Sequence, residues 1–227
     1  MLRFTRTAAA TYAPGFLPAA PSSSTVSLTV AERASRATPA RIPALALRLI
    51  KLGANDSHWL GPLCDVLIDS VHRGASLGFL APLSRGAAED YWRGVLAQLG
   101  PYLSLWIAVD DEGHVGPETG QTPRLHGTVQ LAMCPLLNAH HRGEVRGLMV
   151  HSQSRGRGVA SRLMTRLECT AQTSGRQLLV LETPAGSQAE AVYTHLDWQR
   201  AGEIPAHSTC AEGRLHNTAL LFKRLNC

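Results

Sequence analysis

At 227 residues the chain has room for one sizeable domain, or one domain with an appendage, and its 44% hydrophobic content is that of an ordinary globular protein. No apolar run approaches the ~18 residues a membrane span needs, and the net charge of +5 rests on dispersed arginines not interleaved with aromatics, so neither a membrane nor a nucleic-acid partner is expected. The five cysteines (Cys64, Cys134, Cys169, Cys210, Cys227) show no C-x-x-C spacing and no His-x-x-x-His partner set, which indicates neither a metal site nor a disulfide framework and suits a reducing compartment.

Residues 1–40 differ from the rest. They are rich in Ala, Ser, Thr and Pro, carry Arg3, Arg6, Arg33 and Arg36, and hold Glu32 as their one acid. Such a start resembles an organelle transit peptide, and it equally suits a disordered tail or a start codon placed too far upstream. No packed structure is expected there, and one domain is expected over residues 41–227. The location that follows is cytoplasmic, or an organelle matrix if the extension is a transit peptide.

Ala44 to Leu52 reads as a first strand. Asp56 is placed to cap a helix running to His72, with Leu60, Leu63, Leu67 and Val71 on one face. Ser84 caps a second helix to Leu99, with Tyr91, Trp92, Val95, Leu96 and Leu99 as its apolar set, and Gly100-Pro101 stops it. Leu103 to Val109 is a strand. A polar, Gly-rich loop at residues 113–123 joins it to a returning strand, Leu125 to Cys134. Glu144 to Val150 is the next strand, and Ala160, Leu163, Met164, Leu167 and Ala171 predict a helix that Gly175 ends. Leu178 to Thr183 is a buried strand, and Ser187 caps a short helix from Gln188 to Leu196. Gln199 to Ile204 and, after a loop, Thr218 to Lys223 are the last strands. This order predicts one mixed sheet with helices on its faces rather than an all-parallel doubly wound fold.

The segment Gln153-Ser-Arg-Gly-Arg-Gly158 joins the strand ending at Val150 to the central helix. The first amides of a helix lack intrahelical partners and lie at the positive end of its dipole. Glycines let the backbone approach a phosphate, and Arg155 and Arg157 add charge, so the segment suits a pyrophosphate cradle. No Gly-Lys pair is present for a Walker loop, and Ser161 stands where a dinucleotide fingerprint needs its third glycine. The pattern Gln/Arg-x-x-Gly-x-Gly/Ala remains. By itself it also suits an ordinary arginine-rich strand-to-helix turn.

Taken with its neighbours, the loop resembles the acetyl-CoA pyrophosphate loop of the GNAT N-acetyltransferases. Residues 144–164 resemble the family's fourth strand and cofactor loop, and residues 181–205 the segment behind it. Residues 71–84, 142–150 and 213–225 look like the tabtoxin-resistance acetyltransferase group, so the resemblance runs from about residue 60 to the C-terminus. It implies an α/β (α+β) fold with a mixed, mostly antiparallel twisted sheet of about seven strands flanked by about four helices.

What the resemblance implies for the site can be placed residue by residue. The pyrophosphate would lie on the loop, with Gln153, Arg155, Gly156, Arg157, Gly158, Val159 and Ala160 as its contacts, and Ser187 would contribute from the following segment. The pantetheine would pair with Leu148, Met149 and Val150. Gly147 suits a bulge that splays this strand from its neighbour, and an amide near Leu148 would take the oxyanion. Tyr193 is the expected acid for the leaving thiolate, although a buried tyrosine is often a plain core aromatic. Glu144 and Glu182 are the alternative bases, or simply the carboxylates that bind a cationic amine.

The chain departs from that group at several positions. Glu182 stands for an aspartate, Ala160 for a glycine, Gly147 for a lysine and Ala206-His207 for a Gly-Tyr pair. The loop 113–123 and the extension have no counterpart. Tabtoxin is therefore not carried over as the substrate. The expectation is acetyl transfer from acetyl-CoA to the primary amine of a small, amino-acid-like molecule. It proceeds directly in a ternary complex, because no cysteine sits in the cleft motifs. The alternatives are transfer to a protein N-terminus or lysine, and a non-catalytic CoA-binding module. Members of the family are often dimers, so the resemblance leaves a homodimer open.

Overall fold

The computed structural model describes residues 46–111 and 123–225; the extension over residues 1–40 and all but Pro123 of the loop at 113–123 lie outside them. Along the chain run β1 (Leu47–Leu52), α1 (Leu60–His72), α2 (Arg85–Gln98), β2 (Leu103–Asp110), β3 (Leu125–Met133), β4 (Arg142–Val150), α3 (Val159–Thr173), β5 (Leu178–Pro184), α4 (Gln188–His195), β6 (Gln199–Thr209) and β7 (Leu215–Arg224). The strands form one sheet in the order β1-β2-β3-β4-β5-β7-β6. Every pairing is antiparallel except β4 with β5. This is the mixed sheet that the element order predicts and the mostly antiparallel, seven-stranded, four-helix form of it that the family resemblance implies.

Two apolar layers sandwich the sheet. On one face α1 and α2 bury Leu63, Leu67, Trp92 and Leu96 against Leu105, Ile107 and Met149. On the other, α3 buries Leu163, Met164 and Leu167 with Val145, Leu179, Leu181, Tyr193 and Trp198. Residues of this kind gain about 1.5–3 kcal/mol each on full burial, so both helical layers are strongly held to the sheet.

The caps follow the sequence in part. Ser84 Oγ accepts from Ala87 N at 3.2 Å, and Ser187 Oγ from Glu190 N at 3.2 Å. Gly175, at φ +73°, ends α3 in a Schellman turn, with Arg176 N donating to Ala171 O and Gly175 N to Gln172 O. Asp56 does not cap a helix. Its carboxylate accepts from Gly53 N at 2.8 Å, and a 3-10 turn over Ser57–Trp59 opens α1 instead. β6 also runs on through Ala206 and His207, where a loop is expected. The register slips between Ile204 and Ser208 and Ala206 sits at φ +50°, so the alternation that marks a strand is broken there.

Candidate active site

The site forms where β4 leaves β5. Parallel pairing covers only Arg142 to Glu144 against Leu178 to Val180, after which the strands separate. On its other edge β4 stays with β3, but Gln130 faces Arg146 while Thr128 faces Met149, so two residues of β4 oppose one of β3. Gly147, at φ +54°, occupies this bulge. A Cβ there would lie 2.8 Å from Gln130 Nε2, so the position excludes a side chain by both conformation and space. Thr128 Oγ1 donates to Gly147 O at 3.1 Å and holds the bulge.

The bulge also reverses the alternation of β4. Val145 belongs to the α3-side core, and Leu148 and Val150 pack against that same core. Met149 joins the α1/α2 side. Gly147 and Leu148 have a register partner on neither neighbouring strand, so the regular ladder of β4 is interrupted where the gap opens.

From Val150 the chain passes into a 3-10 turn over Ser152–Ser154 and then into the loop. Gly156 and Gly158 take left-handed conformations at φ +72° and +80°. Among the described residues, the amides of Gly156, Gly158, Val159, Ala160 and Ser161 donate to no backbone carbonyl. These groups, at the start of a 15-residue helix, fit a dianionic pyrophosphate. The flanking side chains are more committed than the sequence implies. Arg155 Nε donates to Val150 O at 3.2 Å, and its amide reaches Ser152 O at 3.4 Å. Gln153 Oε1 accepts from Arg124 Nη2. Arg157 is half-buried, and Val159 points into the core.

The three expected catalytic side chains stand on the walls of the gap. Tyr193 lies on the inner face of α4, 7% exposed, with its ring 5.9 Å from that of Trp198. Trp198 Nε1 donates to Glu168 of α3, which pairs with Lys223 of β7 at 2.8 Å, so α4 is tied to its neighbours. The Tyr193 hydroxyl has no hydrogen bond to a described residue. Burial pushes its phenol well above the usual tyrosine range, and it holds its proton at neutral pH.

Glu144 and Glu182 share the α1/α2 face of the sheet, but their states differ. Both Glu144 oxygens are taken by Arg146, at 2.7 and 2.6 Å. Glu182 lies two residues past the last β4–β5 pair, exposed, with no ion pair or hydrogen bond among the described residues. Ser187 is occupied as a cap, and Glu190 accepts from the amide of the preceding Gly186 at 2.6 Å. A shallow concavity of about 520 Å³, lined by Gly186, Ser187, Glu190, Ala191, Thr194 and His195, runs along the outer face of α4. Cys134 follows β3 at the far end of β4, some five residues or roughly 17 Å from the bulge. No group of three His, Cys, Asp or Glu side chains that could hold a metal occurs among the described residues.

Several site groups carry no sequence signal. Gln130, 3% exposed, sits under the bulge and donates to the Tyr91 hydroxyl at 2.9 Å. Near the end of α1, Asp69 accepts from the amide and hydroxyl of Ser152, at 2.7 and 2.8 Å, just beyond β4. Further on, Ala81 N donates to Ala211 O at 2.9 Å, and Ser76 Oγ lies 3.3 Å from His216 Nε2 on β7. Each contact spans a long stretch of chain, so no local pattern announces it.

Comparison with known proteins adds a second line. The sequence model of the Acetyltransferase (GNAT) family matches residues 85–198, half of the chain. Over 135 residues the chain is 29% identical to an uncharacterized N-acetyltransferase from the hisH-hisA intergenic region of Azospirillum brasilense, covering 60% of this chain and 72% of that one. A phosphinothricin acetyltransferase from Sinorhizobium meliloti, solved with acetyl-CoA, superposes with a TM-score of 0.60 at 16% identity, over 80% of this chain and 90% of that one. A ribosomal-protein-alanine N-acetyltransferase from Brucella melitensis superposes at 0.58 and 16% identity, over 78% of this chain and 99% of that one. At such identities the structural likeness speaks to the fold; the two acceptor classes named by these proteins do not decide between themselves. No helix among the described residues is long and apolar enough to cross a membrane.

Proposed function

The chain belongs to the Acetyltransferase (GNAT) family, and on that premise we propose that it transfers an acetyl group from acetyl-CoA to the primary amine of a small, amino-acid-like molecule. The observation that carries this reading is the gap between β4 and β5 that opens at the Gly147 bulge and leads straight into the loop where the amides of Gly156, Gly158, Val159 and Ala160 donate to no backbone carbonyl. A small acceptor rather than a protein segment is favoured by the α1–α2 connection. It is tied to Ala211 and His216 at the β6–β7 end, and α1, which leads into it, is tied to Ser152 through Asp69; both ties support its lying over the acceptor side of the gap.

Acetyl-CoA supplies an activated acyl carbon. The amides of residues 156–161 and the open edge of β4 bind and orient the donor. An amide near Leu148 receives the charge that develops on the carbonyl oxygen as the amine nitrogen attacks. The carbon–nitrogen bond forms as the carbon–sulfur bond breaks, with no enzyme-bound acyl group. Glu182 accepts the ammonium proton, directly or through a water, since its carboxylate is unpaired; Glu144, already held by Arg146, shapes the acceptor wall. Tyr193 donates to the departing sulfur. Its raised pKa makes complete proton transfer uphill, so its contribution is a hydrogen bond that strengthens as the thiolate forms.

The test is thiol release from acetyl-CoA against a panel of amino acids, dipeptides, polyamines and aminoglycosides, with N-terminal and lysine peptides alongside. Release that depends on one class of small amine supports the reading. Release with peptides alone would replace the small acceptor by a protein. Tight acetyl-CoA binding without turnover on any amine would make the chain a CoA-binding module instead.

A further inference from the structure

The 3-10 turn that carries the cradle is held at three successive residues by three side chains, one from α1 and two from the start of β3. Ser152 is fixed by Asp69 of α1, through its amide and hydroxyl. Gln153 is fixed by Arg124, at the entry to β3. Ser154, 1% exposed, is fixed by His126 of β3, with Oγ 2.8 Å from Nδ1. His126 is itself 3% exposed, and its Nε2 lies 2.6 Å from Asp110 Oδ1 at the end of β2.

The proton positions follow from chemistry. A carboxylate only accepts, so Nε2 carries the hydrogen toward Asp110. In the neutral ring Nδ1 is then the acceptor, and Ser154 donates to it. Aspartate, histidine and serine in contact have the makeup of a hydrolytic triad, but at 1% exposure Ser154 cannot meet a substrate carbonyl. The chain of bonds must act on the loop that Ser154 begins. The first glycine of the cradle lies two residues on, and His151 N, bonded to His126 O at 2.9 Å, ties the other end of the turn to the same residue.

We propose that His126 is a positioning residue for acetyl-CoA. Bridging Asp110 to Ser154, it holds the turn so that the amides of residues 156–161 are aimed before the pyrophosphate arrives, and the ordering is not taken from the binding energy. The inference rests on the acetyl-CoA reading of the loop, but needs no knowledge of the acceptor.

The experiment is calorimetric titration of the full chain with acetyl-CoA, with thermal melting of each variant. His126→Ala and Ser154→Ala are each expected to weaken binding roughly tenfold, the equivalent of one lost hydrogen bond. Asp110→Ala should do the same, while Asp110→Asn, whose amide oxygen still accepts from Nε2, should stay within about threefold of wild type. Leu96→Ala, in the α2 layer, supplies a comparison that lowers melting temperature without touching the loop. Wild-type affinity in Ser154→Ala and Asp110→Ala would overturn the proposal. So would a loss of affinity in Leu96→Ala as large as theirs, since that would reduce the effect to general destabilisation. A wild-type chain that binds no acetyl-CoA would overturn the reading of the loop itself, a distinct result.

Discussion

Two carboxylates on one face of the sheet divide by their partners. Glu144 is held by a bidentate arginine, and Glu182 has no ion pair or hydrogen bond among the described residues, which is why we give the base role to Glu182. Glu182→Gln is therefore expected to lower kcat about a hundredfold, and Glu144→Gln by less than about tenfold, in the thiol-release assay. Equal losses would return Glu144 to the role of base. Tyr193→Phe should reduce kcat by a similar factor while leaving the affinity for acetyl-CoA unchanged, because the ring's packing on Trp198 survives and only the hydroxyl is lost. An unaltered kcat would make Tyr193 a core aromatic.

Among the elements, β4 carries the site because its bulge and its separation from β5 coincide. Gly147→Ala puts a Cβ in a left-handed conformation and against Gln130, and should destabilise the fold by about 1–2 kcal/mol, a fall in melting temperature of roughly 3–8 °C. Melting at wild-type temperature would show that the bulge relaxes freely. The tie between α1 and the cofactor turn has a pH signature. Burial raises the Asp69 carboxyl, but the bonds from the Ser152 amide and hydroxyl outweigh it, and its pKa ends below the ordinary aspartate value. A folded-state pKa below the unfolded one gives stability that is full above about pH 4 and lost as pH falls through the lowered value. The gap in melting temperature between wild type and Asp69→Asn should thus be wide at pH 6 and narrow toward pH 3. A gap independent of pH would mean that the carboxylate charge contributes nothing to the tie.

At the scale of the molecule, the two core layers formed by the described residues run from Leu47 to Leu225. A chain beginning at residue 41 is expected to melt within a degree or two of the full-length protein and to bind acetyl-CoA equally well. Loss of folding on that truncation would make residues 1–40 part of the domain. Acetyl-CoA should raise the melting temperature of both forms, as any ligand of the native state does.

The sequence by itself determined the elements and their order. The helical stripes, the serine caps at Ser84 and Ser187, the stop at Gly175 and the strand–glycine loop–helix are all encoded within a few neighbouring residues, where side-chain periodicity and backbone preference act directly. By family resemblance it also proposed Tyr193, Glu144 and Glu182 as the catalytic set. Only the tertiary structure decided that Glu144 is paired with Arg146, that Asp56 turns back to Gly53, that β6 continues past Ala206, and that Gln130, Tyr91, Asp69 and His126 bond around the bulge and the turn that follows it. Those facts depend on hydrogen bonds and ion pairs set by how strands and helices meet. A partner sixteen residues away, as Asp110 is from His126, or eighty-three, as Ser152 is from Asp69, leaves no trace in the local pattern of the chain.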